Sequence, residues 1–223
     1  MKSIRSVRIA AVAAAAVLGG LSLAASRQDA AAPLPKPATS GGMSLTEALA
    51  KRRSCSAYSD QPLNSEQISQ LCWAAQGITE PTKGFRTAPS AMTLYSIRVY
   101  IVDSAGVHEY LPAEHALKTL RADDLVARLQ ALVRKPAGMG GATTAMVLGM
   151  NLAPLAERVG ARAEMFAAME TGHIAQNVLL QATAIGLASI PVGGFDEAKV
   201  SDLLKLPEGI RPVYILPLGA PKS

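Results

Sequence analysis

Residues 160–196 read GARAEMFAAMETGHIAQNVLLQATAIGLASIPVGGFD, and the fold turns on how this stretch is read. From 161 to 185 there is no proline, and apolar or small residues recur at 165, 168, 172, 175, 179 and 182, the three-and-four spacing of one helical face. Ile174, Val178 and Ile185 widen that face, so the spacing predicts a long helix packed inside protein and central to the fold. No Asp, Glu, Lys or Arg occurs between Glu170 and Asp196. Gln176, Asn177, Gln181, Gly186 and Pro191 nevertheless argue against the roughly 20 lipid-facing residues of a membrane span. Beyond Ile185 the periodicity gives way to a short strand and the Gly193-Gly194 pair. Asp196 or Glu197 then opens a helix to Leu204, and 213–216 forms a last strand stopped by Pro217.

Working back toward the N-terminus, 145–150 reads as a strand and 121–133 as a helix, with the Gly-rich run RKPAGMGGATT between them as a mobile loop. Ile97, Val99 and Ile101 alternate on one face of a strand over 94–102, and the turn at 103–106 leads to a returning strand over 107–111. Ser44 and Glu47 have the spacing of a capping box opening a helix through Lys51. A second helix over 64–76 turns Ile68, Leu71, Cys72 and Ala75 inward, with Gly77 as its C-cap and Trp73 in the core.

The chain starts differently. Lys2, Arg5 and Arg8 precede an uncharged run over 9–25, the order of a secretory signal. Ser22 and Ala24 fit a small-x-small cleavage site, placing the mature start at Ala25. A second site after Ala32 would leave Pro33 first, a poor extended substrate, and an uncleaved membrane anchor is the alternative to cleavage. The expected organisation is a signal over 1–24, a flexible Pro, Ala and Gly linker over 25–43, and one domain over 44–223, exported to the periplasm.

Composition narrows the function. The formal charge is +5, but without Lys2, Arg5 and Arg8 there remain 19 basic against 17 acidic residues, no electrostatic footprint for nucleic acid. Cys55 and Cys72 are too few and too far apart for a zinc site, and a buried free thiol is the expected state of Cys72. The histidines are scattered, as surface or packing residues are. The run from Gly138 to Gly141 has threonine where a dinucleotide fingerprint needs its third glycine and precedes a strand instead of following one. A G-x-S-x-G elbow, an H-E-x-x-H helix and a Walker loop are all missing, so hydrolase, zincin and P-loop readings lack their residues.

GHIAQNVLLQATAIGLASIPVGGFD (172–196), with KRRSCSAYSDQPL (51–63), LCWAAQGIT (71–79) and RTAPSAMTLYSIRVYIV (86–102), resembles the FMN-dependent nitroreductase family. It is most similar to the SagB-type branch that includes thiazoline oxidases. The motifs fall in family order and cover the chain from about Ser44 onward. The resemblance implies an α+β nitroreductase-like fold, a small mixed sheet flanked by helices, in an intimate homodimer with FMN at each subunit junction.

Site residues follow from the same resemblance. Arg52, Arg53 and Ser54 match an arginine-serine turn on the FMN phosphate, ribityl and pyrimidine groups, a role suited to the planar donor fork of guanidinium. Ser56 stands where the family has a further basic residue. Pro89, Ser90 and Ala91 match the element that reaches the flavin from the partner subunit, and Thr93 occupies the family's asparagine position. Gly193 and Gly194 match the segment beside flavin N5, where lack of a Cβ permits close approach, and Lys222 matches a C-terminal cation near the phosphate. On residues alone, arginines ending a helix offset its dipole, and a glycine pair can simply turn the chain. Arg158-Val159 replaces the Lys-Tyr pair of thiazoline-oxidising relatives, which argues against azoline oxidation.

The expected function is an FMN-dependent oxidoreductase moving hydride through the flavin between a reduced donor, NAD(P)H among them, and a small organic acceptor, with no catalytic side chain required. The alternatives are a flavin-linked dehydrogenase or oxidase using oxygen or quinone, and a non-catalytic flavin- or peptide-binding homologue.

Overall fold

The computed structural model describes residues 31–222; the expected signal segment and its Ala24 cleavage site lie outside them. The strands are β1 (Ala32–Pro33), β2 (Ile78–Glu80), β3 (Phe85–Arg86), β4 (Ile97–Asp103), β5 (Gly106–Leu111), β6 (Ala116–Arg121), β7 (Thr144–Asn151), β8 (Ala188–Ser189) and β9 (Ile210–Gly219). The helices are α1 (Leu45–Lys51), α2 (Ser65–Gln76), α3 (Val126–Leu132), α4 (Ala153–Val159), α5 (Ala163–Ala184) and α6 (Glu197–Leu204). Seven strands form one sheet in the order β1-β6-β5-β4-β7-β9-β8, every neighbouring pair antiparallel. The α+β class is as expected, and the parallel part of the expected mixed sheet amounts to one isolated bridge, Ser54 to Ser189.

Alternation along the central strands sends side chains to two cores. Ile97, Val99 and Ile101 of β4 and Met146 and Leu148 of β7 meet Leu71, Cys72 and Ala75 of α2 and Ile174, Val178 and Ala182 of α5. On the opposite face Tyr100, Val102, Val147 and Ile215 meet Leu129 of α3 and Val200 and Leu204 of α6. The sheet is thus covered by helices on both sides, with α5 along one of them.

Several expectations need correction. Helix α3 is shorter than 121–133, because Ala116–Arg121 pairs with β5 as strand β6. Strand β4 starts at Ile97, not 94, because Met92, Thr93 and Tyr95 hold positive φ of 54°, 57° and 49°, which breaks an extended chain. The stripe at 165, 168, 172, 175, 179 and 182 is buried only from Ala175 on; Met165, Ala168, Gly172 and His173 are exposed, so α5 covers the sheet with one side and leaves the other bare. Part of the expected linker is also fixed. β1 pairs with β6, Pro35 O accepts from Ser69 Oγ at 2.5 Å, and Ala38 exchanges hydrogen bonds with the Gln70 amide, so 32–39 forms a strap against the domain. The loop expected to be mobile is held through Gly140 O, which accepts from Tyr58 N at 3.1 Å.

Candidate functional site

Helix α1 starts as its capping residue requires, Ser44 Oγ accepting from Glu47 N at 3.2 Å, and stops at Arg52, whose N–H closes the last turn on Ala48 O. The following turn then meets distant segments. Ser54 bridges Ser189, Cys55 N donates to Ser189 O at 3.2 Å, and Lys222 N donates to Ala57 O at 3.1 Å. Strand β9 is the common spine: Ser189 pairs with Leu218, Val192 and Ile215 exchange backbone bonds at 2.8 and 3.0 Å, and Lys222 lies three residues past its end. Tyr58, 3% exposed, locks the turn by donating its hydroxyl to Cys55 O at 2.5 Å, and burial raises its pKa, keeping it a donor. The structure therefore brings together Arg52, Arg53, Ser54, Ser56, Lys222 and the strand leading to Gly193 and Gly194.

The chemistry of this junction fits an anionic, planar ligand. Arg52, Arg134, Lys135 and Lys222 make no side-chain hydrogen bond or ion pair among the described residues. Arg53 instead donates Nη1 to Ala50 O and Arg52 O at 3.0 and 2.7 Å, satisfying orphan carbonyls of α1; for it the helix-ending role holds. Ser189, the bridge partner of Ser54, has its Oγ buried with no partner among the described residues. The glycine pair is not demanded by the fold. Neither has a positive φ, and a Cβ on Gly193 or Gly194 would meet nothing nearer than Tyr214 at 3.6 Å or Arg134 at 3.8 Å. A second segment frames the pair, since Arg134 N donates to Gly194 O at 2.8 Å and Val133 bridges Phe195.

Pro89, Ser90, Ala91 and Thr93 lie elsewhere. Ser90 Oγ donates to Glu170 Oε2 at 2.7 Å and accepts from Tyr95 N at 2.8 Å, while Pro89, Met92 and Thr93 are exposed. Glu170 is two turns into α5, and the helix from there to Ala184 is roughly 20 Å long at 1.5 Å per residue, whereas the arginine turn is tied to Ser189 beyond the helix end. One chain does not unite the two groups. Glu170, 2% exposed, also accepts from Gln76 Nε2, Ser96 N, Ser96 Oγ and Ile97 N at 3.0 to 3.3 Å. Sequence reasoning passed over Glu170, Tyr58 and Arg134; the partners of Glu170 and Arg134 lie too far away in sequence for any local pattern to show them, and the Tyr58 bond to Cys55 O follows no regular element.

The remaining polar candidates are accounted for. Asn177 Nδ2 donates to Thr87 O at 3.2 Å, Gln181 accepts from Gln70, and His173 and Gln176 are exposed. His115 bonds Tyr110, Ser69 and Pro35, and His108 bonds Thr119. Trp73 is half-buried and lines clefts beside α1 and α5. Both cysteines are free, Cys72 buried, where burial pushes its thiol pKa up. Among the described residues no group of three or more His, Cys, Asp or Glu could hold a metal ion, and no helix is long and apolar enough to cross a membrane.

Comparison with known proteins agrees with this architecture. A protein of Methanocaldococcus jannaschii named as a nitroreductase is 31% identical over 182 residues, 78% of this chain and 90% of its own. A crystal structure from Ralstonia eutropha, also named as a nitroreductase, superposes with a TM-score of 0.80 at 29% identity, covering 88% of this chain and 91% of that one. The E. coli microcin synthetase McbBCD complex shares the fold, with a TM-score of 0.68 at 21% identity over 97% of this chain and 85% of that chain. The nitroreductase family profile matches residues 49–220, a span that takes in every element from the arginine turn to the end of β9, and the chain is a nitroreductase-family oxidoreductase.

Proposed function

We propose that the protein is an exported, homodimeric FMN enzyme of the SagB-type branch, with its cofactor at the junction of the arginine turn, the Gly193-Gly194 segment and the C-terminal tail. The observation that carries this reading is the convergence of unpaired Arg52 and Lys222 with Ser54 and a glycine pair that the chain's own packing does not require. Bound FMN would supply hydride transfer between a reduced donor and a small organic acceptor. Arg52, Ser54 and Lys222 hold the phosphate and ribityl end by charge-assisted bonds. Backbone at Gly193 and Gly194 admits a flat ring without a side chain intervening. The Pro89–Thr93 loop of a second copy closes the site, which explains why it is exposed and set apart within one chain.

Ser56 and Thr93 replace a cation and an amide, so the cofactor is held more loosely than where those groups are present. The bare side of α5, carrying Met165 and Met169 at 40% and 51% exposure, is the surface the second copy would cover. The electron donor is NAD(P)H or a reduced carrier of the compartment to which 1–24 directs the chain, and intact mass of the exported protein checks the start at Ala25. The test is an absorption spectrum of the purified protein followed by anaerobic addition of NADH and NADPH. A yellow protein that bleaches supports the enzyme reading, and a protein that stays colourless with added FMN favours the non-catalytic alternative.

A further inference from the structure

A cavity of about 330 Å³ lies at the start of β4, away from the arginine turn, and is lined by Arg86, Arg98, Gln76, Thr93, Tyr95 and Tyr110 among others. No carboxylate lines it. Arg86 stacks over the Tyr95 ring at 4.1 Å, gives Nη1 to Gln76 Oε1 at 3.2 Å, and keeps Nε buried with no acceptor. The nearby carboxylate, Glu170, is already saturated by five donors. Arg98 has only a long contact to Glu109, at 3.4 Å, and its side chain is about half exposed. Burial lowers the Arg86 pKa, Tyr95 and Glu170 oppose the shift, and the Arg98 charge adds to it. Two guanidiniums thus share one small cavity with an orphan donor on Arg86 and no carboxylate in its lining; Glu109 faces Arg98 alone, and an oxyanion between the two would satisfy the orphan donor and offset both charges.

We propose that this cavity is an oxyanion subsite that takes the carboxylate or phosphate group of a small molecule between Arg86 and Arg98. Guanidinium offers such groups a planar fork, and the Tyr95 ring that supports Arg86 fixes its plane. Thr93 lines the cavity and also belongs to the loop assigned to the second subunit's flavin. An acid anchored here would present its remainder toward that loop, so the favoured substrates are acidic. This substrate role rests on the flavin reading; anion binding itself does not.

The test uses the full-length protein, with sodium phosphate and sodium acetate as probes and sodium chloride at matched ionic strength as control. A bound anion raises the thermal midpoint saturably by mass action, and the more effective probe identifies the preferred group. Arg98→Gln, chosen because Arg98 is half exposed and replaceable without harm to the fold, should weaken the apparent affinity about tenfold, the loss of one charge-assisted bond. Arg52→Gln, which also removes the phosphate contact proposed at the arginine turn, should keep a saturable anion-induced shift while weakening FMN binding. No saturable shift with either probe, or a shift that survives Arg98→Gln in the Arg52→Gln background, overturns the proposal. FMN titration of the same three proteins separates the two readings: flavin binding unaffected by Arg52→Gln contradicts the cofactor site and leaves the anion site standing.

Discussion

Ser90 Oγ donates to Glu170 Oε2 across 80 residues of sequence at 2.7 Å, tying the loop assigned to the second subunit's flavin to a buried carboxylate on the central helix. The same carboxylate anchors the first residues of β4 through Ser96 and Ile97. Loop position, strand start and helix register are therefore set at one point. Glu170→Ala leaves several buried donors without an acceptor and should cost at least about 3 kcal/mol at 1–3 kcal/mol per orphaned group; Ser90→Ala, which orphans Tyr95 N, should cost about 1–2 kcal/mol. Urea denaturation measures both, and equal losses would mean that Ser90 carries all of the effect.

Thr93 sits at φ 57°, a conformation that asparagine tolerates and a β-branched residue resists. Thr93→Asn should therefore stabilise the fold by about 1 kcal/mol, read as a thermal midpoint roughly 2–4 °C higher for a domain of this size. It should also tighten FMN binding. A lower midpoint would mean that the Thr93 Oγ1 bond to Met92 O outweighs the backbone strain.

Asp103 predicts an acid dependence. Burial pushes its carboxyl pKa up, but bonds from His108, Ala105 N and Gly106 N more than offset that, leaving it below the ordinary 3.8. A depressed folded-state value means stability that is fully present above pH 3.8 and is lost as pH falls through the lower value. Asp103→Asn should be less stable than the parent at pH 7, and the gap should narrow below about pH 3. Denaturation midpoints across pH 2–7 check the convergence.

Arg52→Lys replaces a planar fork with a point charge and should weaken FMN binding by about 1–3 kcal/mol, with little change in thermal midpoint because Arg52 has no side-chain partner among the described residues. Unchanged affinity in a flavin titration would return Arg52 to a solvated helix end.

Met169 is 51% exposed on the bare side of α5. If a second copy covers it, Met169→Lys should shift the protein toward monomer in light scattering and weaken flavin binding with it. A dimer that persists unchanged would place the interface elsewhere.

The long helix, the strand at 145–150 and the glycine pair were legible because each follows a local rule of period, length or punctuation. Strand β6 was not, since ALKTLR carries no strict alternation and is fixed by pairing with β5. The strap at 32–39 has tether composition, and what holds it comes from other elements: strand β6, Ser69, Gln70 and His115. The arginine turn was marked by resemblance to a family; its closure onto Ser189 and Lys222 was not, because backbone bonds over such separations leave no sequence trace. Arg134 gave a signal only as a cation in a Gly-rich loop. Glu170 stood in the quoted stretch, yet its acceptor role depends on donors 73 to 94 residues away.

The central claim is that Gly194 is glycine for a ligand's sake. A Cβ there meets only the Arg134 side chain at 3.8 Å, so Gly194→Val should keep the thermal midpoint of the parent. If the segment lies against a bound flavin, the added branch occupies the ring's space or displaces the backbone, and even about 1 Å of misplacement can cost on the order of 100-fold in rate. The deciding measurement is FMN titration of parent and Gly194→Val by flavin fluorescence, paired with their midpoints. The account predicts equal midpoints and FMN affinity at least tenfold weaker in the variant; equal midpoints with equal affinity would contradict it.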